Sequence, residues 1–227
     1  MTKKEYIEIE AHMLNQMRDS AHDKHHIYRV LNTALDIADF MQDIKDIDVL
    51  LAACLLHDIG RERQFANPGL CHAQIGGNMA CDFLLSRKWP KAKAAHVKEC
   101  ISSHRYRGDN PPQSIEAKIL FDADKLDATG AMGIARTLFY NGQVQEPLYI
   151  LDQVGNIVTD GDEKTSSFIQ EYNYKLKNVY ESFCTERAKE IALARQKTAI
   201  EFYNGLFAEI VQNYEHGINN RPILLSE

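Results

Sequence analysis

At 227 residues, with 44% apolar and 26% charged residues, the chain carries enough apolar material for one substantial core. No apolar run nears the roughly 20 residues of a membrane helix, and Met1 to Glu10 holds no secretory apolar segment, so a cytoplasmic protein is expected. The net charge of −6 argues against nonspecific attraction to nucleic-acid phosphates, and five cysteines, an odd number without a Cys-x-x-Cys, read as free thiols.

Residues 3 to 18 place Tyr6, Ile9, Met13, Leu14 and Met17 at three-and-four spacing, which predicts an amphipathic helix. After Ser20 to Asp23, whose side chains can cap a helix, Ile27, Val30, Leu31, Ala34, Leu35, Ala38 and Met41 hold one stripe over four turns. His26 stands at the start of that helix, at the margin of the core. From Val49 to Leu56 eight apolar residues run without alternation, predicting a helix at about 46 to 59 that is buried on nearly every face and carries His57 and Asp58 inward. A carboxylate taken into a core costs several kcal/mol unless it is hydrogen-bonded, paired or bound to metal. The dipeptide alone fits a hydrogen-bonded helix end as well as a ligand pair. Arg61 to Leu70, with Asn67-Pro68-Gly69, reads as a loop.

Helices follow over His72 to Leu85 and Lys91 to Ser103, then a break at Asp109-Asn110-Pro111-Pro112. Ser114 can cap a helix that runs to Asp127, and a second segment continues from Met132 through Phe139. Residues 143 to 165 leave the helical pattern and fit a small hairpin, Leu148 to Val154 and Ile157 to Thr159 about Gly155-Asn156, or a flap. Two helices near 167 to 183 and 185 to 215 close the chain. The sum is an all-α bundle in a single domain, 1–227, with its core in 20–140 and the helices of 167–215 packing on it.

His26, the His57-Asp58 pair and Asp124 together offer two imidazoles and two carboxylates from three helices, a set suited to a divalent ion. The order of His, His-Asp pair and later Asp, in His26-Ile27-Tyr28-Arg29-Val30, Leu55-Leu56-His57-Asp58-Ile59-Gly60 and Ala123-Asp124-Lys125-Leu126-Asp127, resembles the HD superfamily of metal-dependent phosphohydrolases. The stretch from Glu116 to Arg136 is similar to a bacterial subgroup that includes nucleoside triphosphate pyrophosphohydrolases. The resemblance spans about residues 20 to 140. It implies an HD-domain helical bundle whose metal ligands are His26, His57, Asp58 and Asp124. The ion would be divalent: Mn, Mg, Fe, Co, Ni or Zn. The implied reaction is hydrolysis of a phosphate ester or anhydride by metal-activated water. Its partner would be a small phosphorylated molecule, a nucleotide before others, with neither nucleic acid nor membrane as partner.

Arg61 and Lys125 are the candidate cations for phosphate oxygens, and Asp58, Lys125 and Glu62 the candidate catalytic groups. Some HD nucleotidases carry an acidic residue three positions after the pair's Asp; here Arg61 stands there and Glu62 one step later. Asp122 and Asp127 are expected to hydrogen-bond ligands or cap local structure. With His72 and His104 included, the order resembles the two-metal HD proteins, in which the pair's Asp bridges both ions. The gap of fourteen residues from Asp58 to His72 and the subgroup matched around Asp124 favour one ion, leaving His72 and His104 to line the pocket and contact substrate. His12, His22, His25, His96 and His216 receive no role. The resemblance leaves two further readings: a two-iron HD-type oxygenase, and a nonenzymatic nucleotide-binding regulatory module.

Overall fold

The run from Val49 to Leu56 has no polar face, so as a helix it is stable only where other helices enclose it. The computed structural model describes residues 1–16, 24–41, 46–105, 110–162 and 166–224, with side chains except at 215 and 218–224. In it α3 (Ile47–Leu56) is packed by α1 (Lys3–Gln16), α2 (Lys24–Asp39), α5 (His72–Ser86), α6 (Lys91–Ser103) and α7 (Ile115–Leu126). Residues 52 to 56 are all buried, and Leu55 and Leu56 each contribute about 2 kcal/mol by leaving water. Ser114 is a cap the sequence offers, Asp46 is a further one, and the stretch from Ser20 to Asp23 lies outside the described residues. Asp46 accepts from Asp48 N and Val49 N at the start of α3, and Ser114 from Ala117 N at the start of α7.

Packing divides the chain into two compact units. The first comprises Met1–Asp127 and Phe183–Ile191. Its last piece is fixed by Asp122, a fully buried carboxylate that accepts from Cys184 N, Thr185 N and Thr185 Oγ1 at 2.8, 2.7 and 2.6 Å. Asp122 thus caps local structure, one of the two roles expected of it. Residues 61 to 66, expected as loop, form a short helix, α4 (Arg61–Ala66). Arg-Glu-Arg-Gln-Phe-Ala has good helix formers at every position but Phe65, and the turn residues act only afterwards, where Pro68 forces Asn67 to be extended (φ −143°, ψ 95°).

The second unit, Ala128–Ser182 and Ala192–Glu227, holds α8 (Gly130–Gln143), α9 (Phe168–Glu171) and most of α10 (Glu186–Leu224) around Ile134, Phe168, Ile169, Tyr172, Leu176 and Ala199. The continuous helix expected at 167 to 183 is broken into α9, a π turn over Tyr172–Leu176 and a 3-10 turn over Val179–Glu181. Tyr172 stacks on Tyr203 at 4.0 Å and Asn173 Nδ2 donates to Tyr203 Oη at 2.8 Å, so aromatic packing sets the backbone here over regular helix geometry. In the 143 to 165 segment Leu151 and Ile157 form one antiparallel bridge. The turn between them is longer than the two residues expected: the Asp152 carboxylate accepts from Val154 N and Asn156 N, and Gly155 takes φ +90°. Among the described residues no helix is long and apolar enough to cross a membrane.

Candidate metal centre

Helix ends deliver the chemistry of the first unit. His57 and His104 directly follow α3 and α6, His72 opens α5, His26 is in the first turn of α2 and Asp124 in the last turn of α7. All except Asp124 are at most 3% exposed, as is Asp58. A close backbone approach brings α5 in: a Cβ on Gly60 would collide with His72 O and Gly76 N, so glycine at both 60 and 76 lets the start of α5 lie against the chain just past Asp58.

Asp58 is the common member of two donor groups, His26 with His57 and Asp58, and Asp58 with His72 and His104. Its Oδ2 lies 3.5 Å from His26 Nε2 and 3.7 Å from His57 Nε2 and accepts from Arg61 Nε at 2.8 Å; its Oδ1 lies 3.5 Å from His72 Nε2 and 3.7 Å from His104 Nε2. Asp124 Oδ1 joins the first group, 3.3 Å from His26 Nε2 and 3.8 Å from His57 Nε2.

Each imidazole is turned the same way by a bond on its far nitrogen. His57 Nδ1 donates to Cys54 O at 2.8 Å and His104 Nδ1 to Ile101 O at 2.6 Å, while His72 Nδ1 meets Gln64 Oε1 and His26 Nδ1 meets Asp127 Oδ2, both at 2.7 Å. An oxygen acceptor at Nδ1 fixes a proton there, so that whenever the ring is neutral Nε2 is a bare lone pair facing the carboxylates. Lone pairs facing carboxylate oxygens in a dry pocket repel, and a cation among them removes the conflict. Three of these atoms, Asp58 Oδ1, His72 Nε2 and His104 Nε2, are buried with no hydrogen-bond partner among the described residues. The donor set therefore fits divalent metal.

The protonation energetics carry the same sign. Burial alone would push the His26 imidazole down, but its bonds to Asp124, Asp127 and Asp58 raise its pKa to about 10. At neutral pH a proton thus takes the cation's place in the first group. Burial pushes His57 down to about 4, against the pull of Asp58 and Asp124, and burial with the Arg61 charge pushes His72 down to about 2. Asp58 and Asp124 resist the upward push of burial: the Arg61 charge and the neighbouring histidines hold Asp58 well below the usual carboxylate range, and the His26 bond does the same for Asp124.

Of the residues named from sequence, His26, His57, Asp58, Asp124, His72, His104 and Arg61 converge here. The sequence favoured one ion with His72 and His104 toward substrate; in the structure both turn their free nitrogens to Asp58 Oδ1 as a second donor group. Lys125 does not join: its ammonium sits 4.8 Å over the Phe121 ring, where burial lowers its pKa. Glu62 is exposed in the first turn of α4. Asp127 takes the orienting role expected of it, and Arg29 clamps it with Nε at 2.7 Å and Nη2 at 2.9 Å. Sequence reasoning missed Arg29, although it lies one helical turn after His26, and Gln64, which a loop reading of 61 to 70 gave no face to share. His25 and His216 are exposed and His12 stacks on Phe83, away from both donor groups; His22 lies outside the described residues.

Comparison with known proteins identifies the family. The HD domain family model matches residues 24–129. The chain is 30% identical over 195 residues to the uncharacterized protein YpgQ of Bacillus subtilis, covering 84% of this chain and 85% of that protein. The crystal structure of Bacillus subtilis YpgQ in complex with ADP superposes with a TM-score of 0.69 at 25% identity, over 90% of this chain and 97% of the other. The structure of a predicted HD superfamily hydrolase from an uncultured Thermotogales bacterium gives a TM-score of 0.59 at 28% identity, over 91% and 92%.

Proposed function

The chain belongs to the HD superfamily of hydrolases, and from that premise we propose that it cleaves a phosphate ester or anhydride bond in a nucleotide, with divalent ions held at both donor groups. The observation that carries the reading is Asp58, one buried carboxylate whose two oxygens face two separate sets of histidines. His26, His57, Asp58 and Asp124 hold one ion; Asp58, His72 and His104 hold the other. Bound there, divalent ions would polarise phosphoryl oxygens and bring the pKa of water toward neutrality, which would supply the nucleophile without a strong protein base.

The remaining roles belong to charge and position. Arg61, anchored on Asp58, and Arg105, whose positive charge together with that of Arg61 reaches His72, are the cations we assign to the substrate's phosphates. Arg61 takes this role ahead of Lys125, which is seated on Phe121. Glu62, one residue beyond Arg61, is the group we assign to proton transfer. Nucleotide as substrate class is supported by the ADP held in the YpgQ crystal structure, a property of that protein. A cytoplasmic setting is part of the proposal.

The test is anaerobic turnover of a panel of nucleoside mono-, di- and triphosphates and simple phosphoesters by protein loaded with Mn2+ or Mg2+. Release of phosphate or pyrophosphate is expected. Two donor groups sharing a carboxylate also suit a two-iron oxygenase, and that reading takes over if the panel is inert while iron-loaded protein consumes dioxygen. Inertness in both assays with intact nucleotide binding would favour the regulatory module.

A further inference from the structure

The four histidines of the centre are oriented by unequal means. His57 and His104 are held by carbonyls of their own helices, Cys54 O and Ile101 O, and His26 by a carboxylate that Arg29 clamps. His72 alone of the four is oriented by a neutral side chain from another element, Gln64 on α4. Arg61 and Gln64 are three residues apart and therefore share a face of α4. That face touches Asp58 Oδ2 through Arg61 Nε at 2.8 Å and His72 Nδ1 through Gln64 Oε1 at 2.7 Å.

An amide has two ends. With Oε1 toward His72 the proton stays on Nδ1, and the lone pair of Nε2 faces Asp58 Oδ1 across 3.5 Å as a ligand would. With the amide turned over, its NH2 would donate to Nδ1, the imidazole proton would move to Nε2, and His72 would become a hydrogen-bond donor to Asp58 instead of a metal ligand. We infer that Gln64 is a positioning residue for the second ion: its amide orientation selects the ligand tautomer of His72 and makes this the weaker, adjustable group of the two. The first group has two carboxylates and an imidazole backed by a third, whereas the second has only the shared Asp58 and two imidazoles backed by neutral oxygens. This inference rests on the two-ion reading above and adds what controls the second ion.

The experiment uses the full chain stripped with chelator and titrated with Mn2+ alone, counting bound ion by electron paramagnetic resonance and calorimetry. Wild type is expected to take one ion tightly and a second at least 10-fold more weakly. Gln64→Met, which keeps length and removes the acceptor, should weaken the second ion by 10- to 100-fold and leave the first within about twofold. Gln64→Glu, which restores an acceptor, should keep both. Nitrogen-15 spectra of ion-free protein should show His72 protonated at Nδ1 in wild type and in Gln64→Glu, with a shift toward Nε2 protonation in Gln64→Met. Circular dichroism confirms that each variant is folded. A second ion bound equally well by Gln64→Met, or a wild type that takes one ion only, overturns the inference. A phosphate-release panel that fails while the Gln64 variants still move the second ion overturns the proposed reaction and leaves this role standing.

Discussion

Replacing Asp127 by Asn keeps its shape and removes one charge at the back of the centre. The carboxylate now serves three donors: His26 Nδ1 at 2.7 Å, and Arg29 Nε and Nη2 at 2.7 and 2.9 Å. An amide offers one oxygen to those three, and its own NH2 then faces either the imidazole N–H or the guanidinium. A hydrogen bond to a charged group contributes about 1.5–3 kcal/mol. Arg29 is 34% exposed and recovers part of its loss through water. The net cost should be about 2 kcal/mol, or a fall of roughly 4–8 °C in Tm for a chain of this size. His26 should lose basicity together with its fixed tautomer, so the affinity of the first group for Mn2+ should drop 10- to 100-fold. Urea unfolding of chelator-stripped protein reads the first number and Mn2+ titration the second. If stability falls as expected while Mn2+ affinity stays within twofold of wild type, Asp127 merely ties α2 to the end of α7, and the account of how His26 is oriented is wrong.

Asp58→Asn removes the charge both groups share, so bound metal should fall below a tenth of wild type by elemental analysis and turnover by at least about 10³-fold, with helicity by circular dichroism unchanged. Gly60→Ala puts a Cβ against His72 O and Gly76 N and should push α5 away, costing about 1–3 kcal/mol and weakening the second ion before the first; equal loss at both groups would contradict the placement of α5. In chelator-stripped protein the stabilisation from His26, whose pKa rises from 6.5 unfolded to about 10 folded, is complete below pH 6.5 and lost as pH climbs toward 10. The contribution of His57 has the opposite sign, complete above pH 6.5 and lost as pH falls toward 4, and those of Asp58 and Asp124 are lost further into acid. Urea midpoints should therefore peak near pH 6.5 to 7 and fall on either side; a midpoint that rises steadily from pH 7 to 9.5 would refute the His26 assignment.

Periodicity and apolar run length located α1, α2, α3, α5, α6, α7 and α8, because a helix that buries one stripe, or all of itself, writes that burial into its spacing. Residue order alone also pointed to His26, His57, Asp58 and Asp124, since metal chemistry needs those donor types and this order resembles a known family. Local pattern fails where a side chain's partner is distant in sequence. The break of the 167 to 183 helix follows from Tyr172 and Asn173 meeting Tyr203, about thirty residues on, and no window over 167 to 183 contains that contact. The direction of His72 depends likewise on Gly60 admitting α5 and on Gln64 lying on a turn of helix that Asn67-Pro68-Gly69 disguised as loop. Chemical type and helical stripe are properties of sequence, whereas the division of one carboxylate between two groups of histidines exists only once helix ends far apart in the chain have been brought within 4 Å of Asp58.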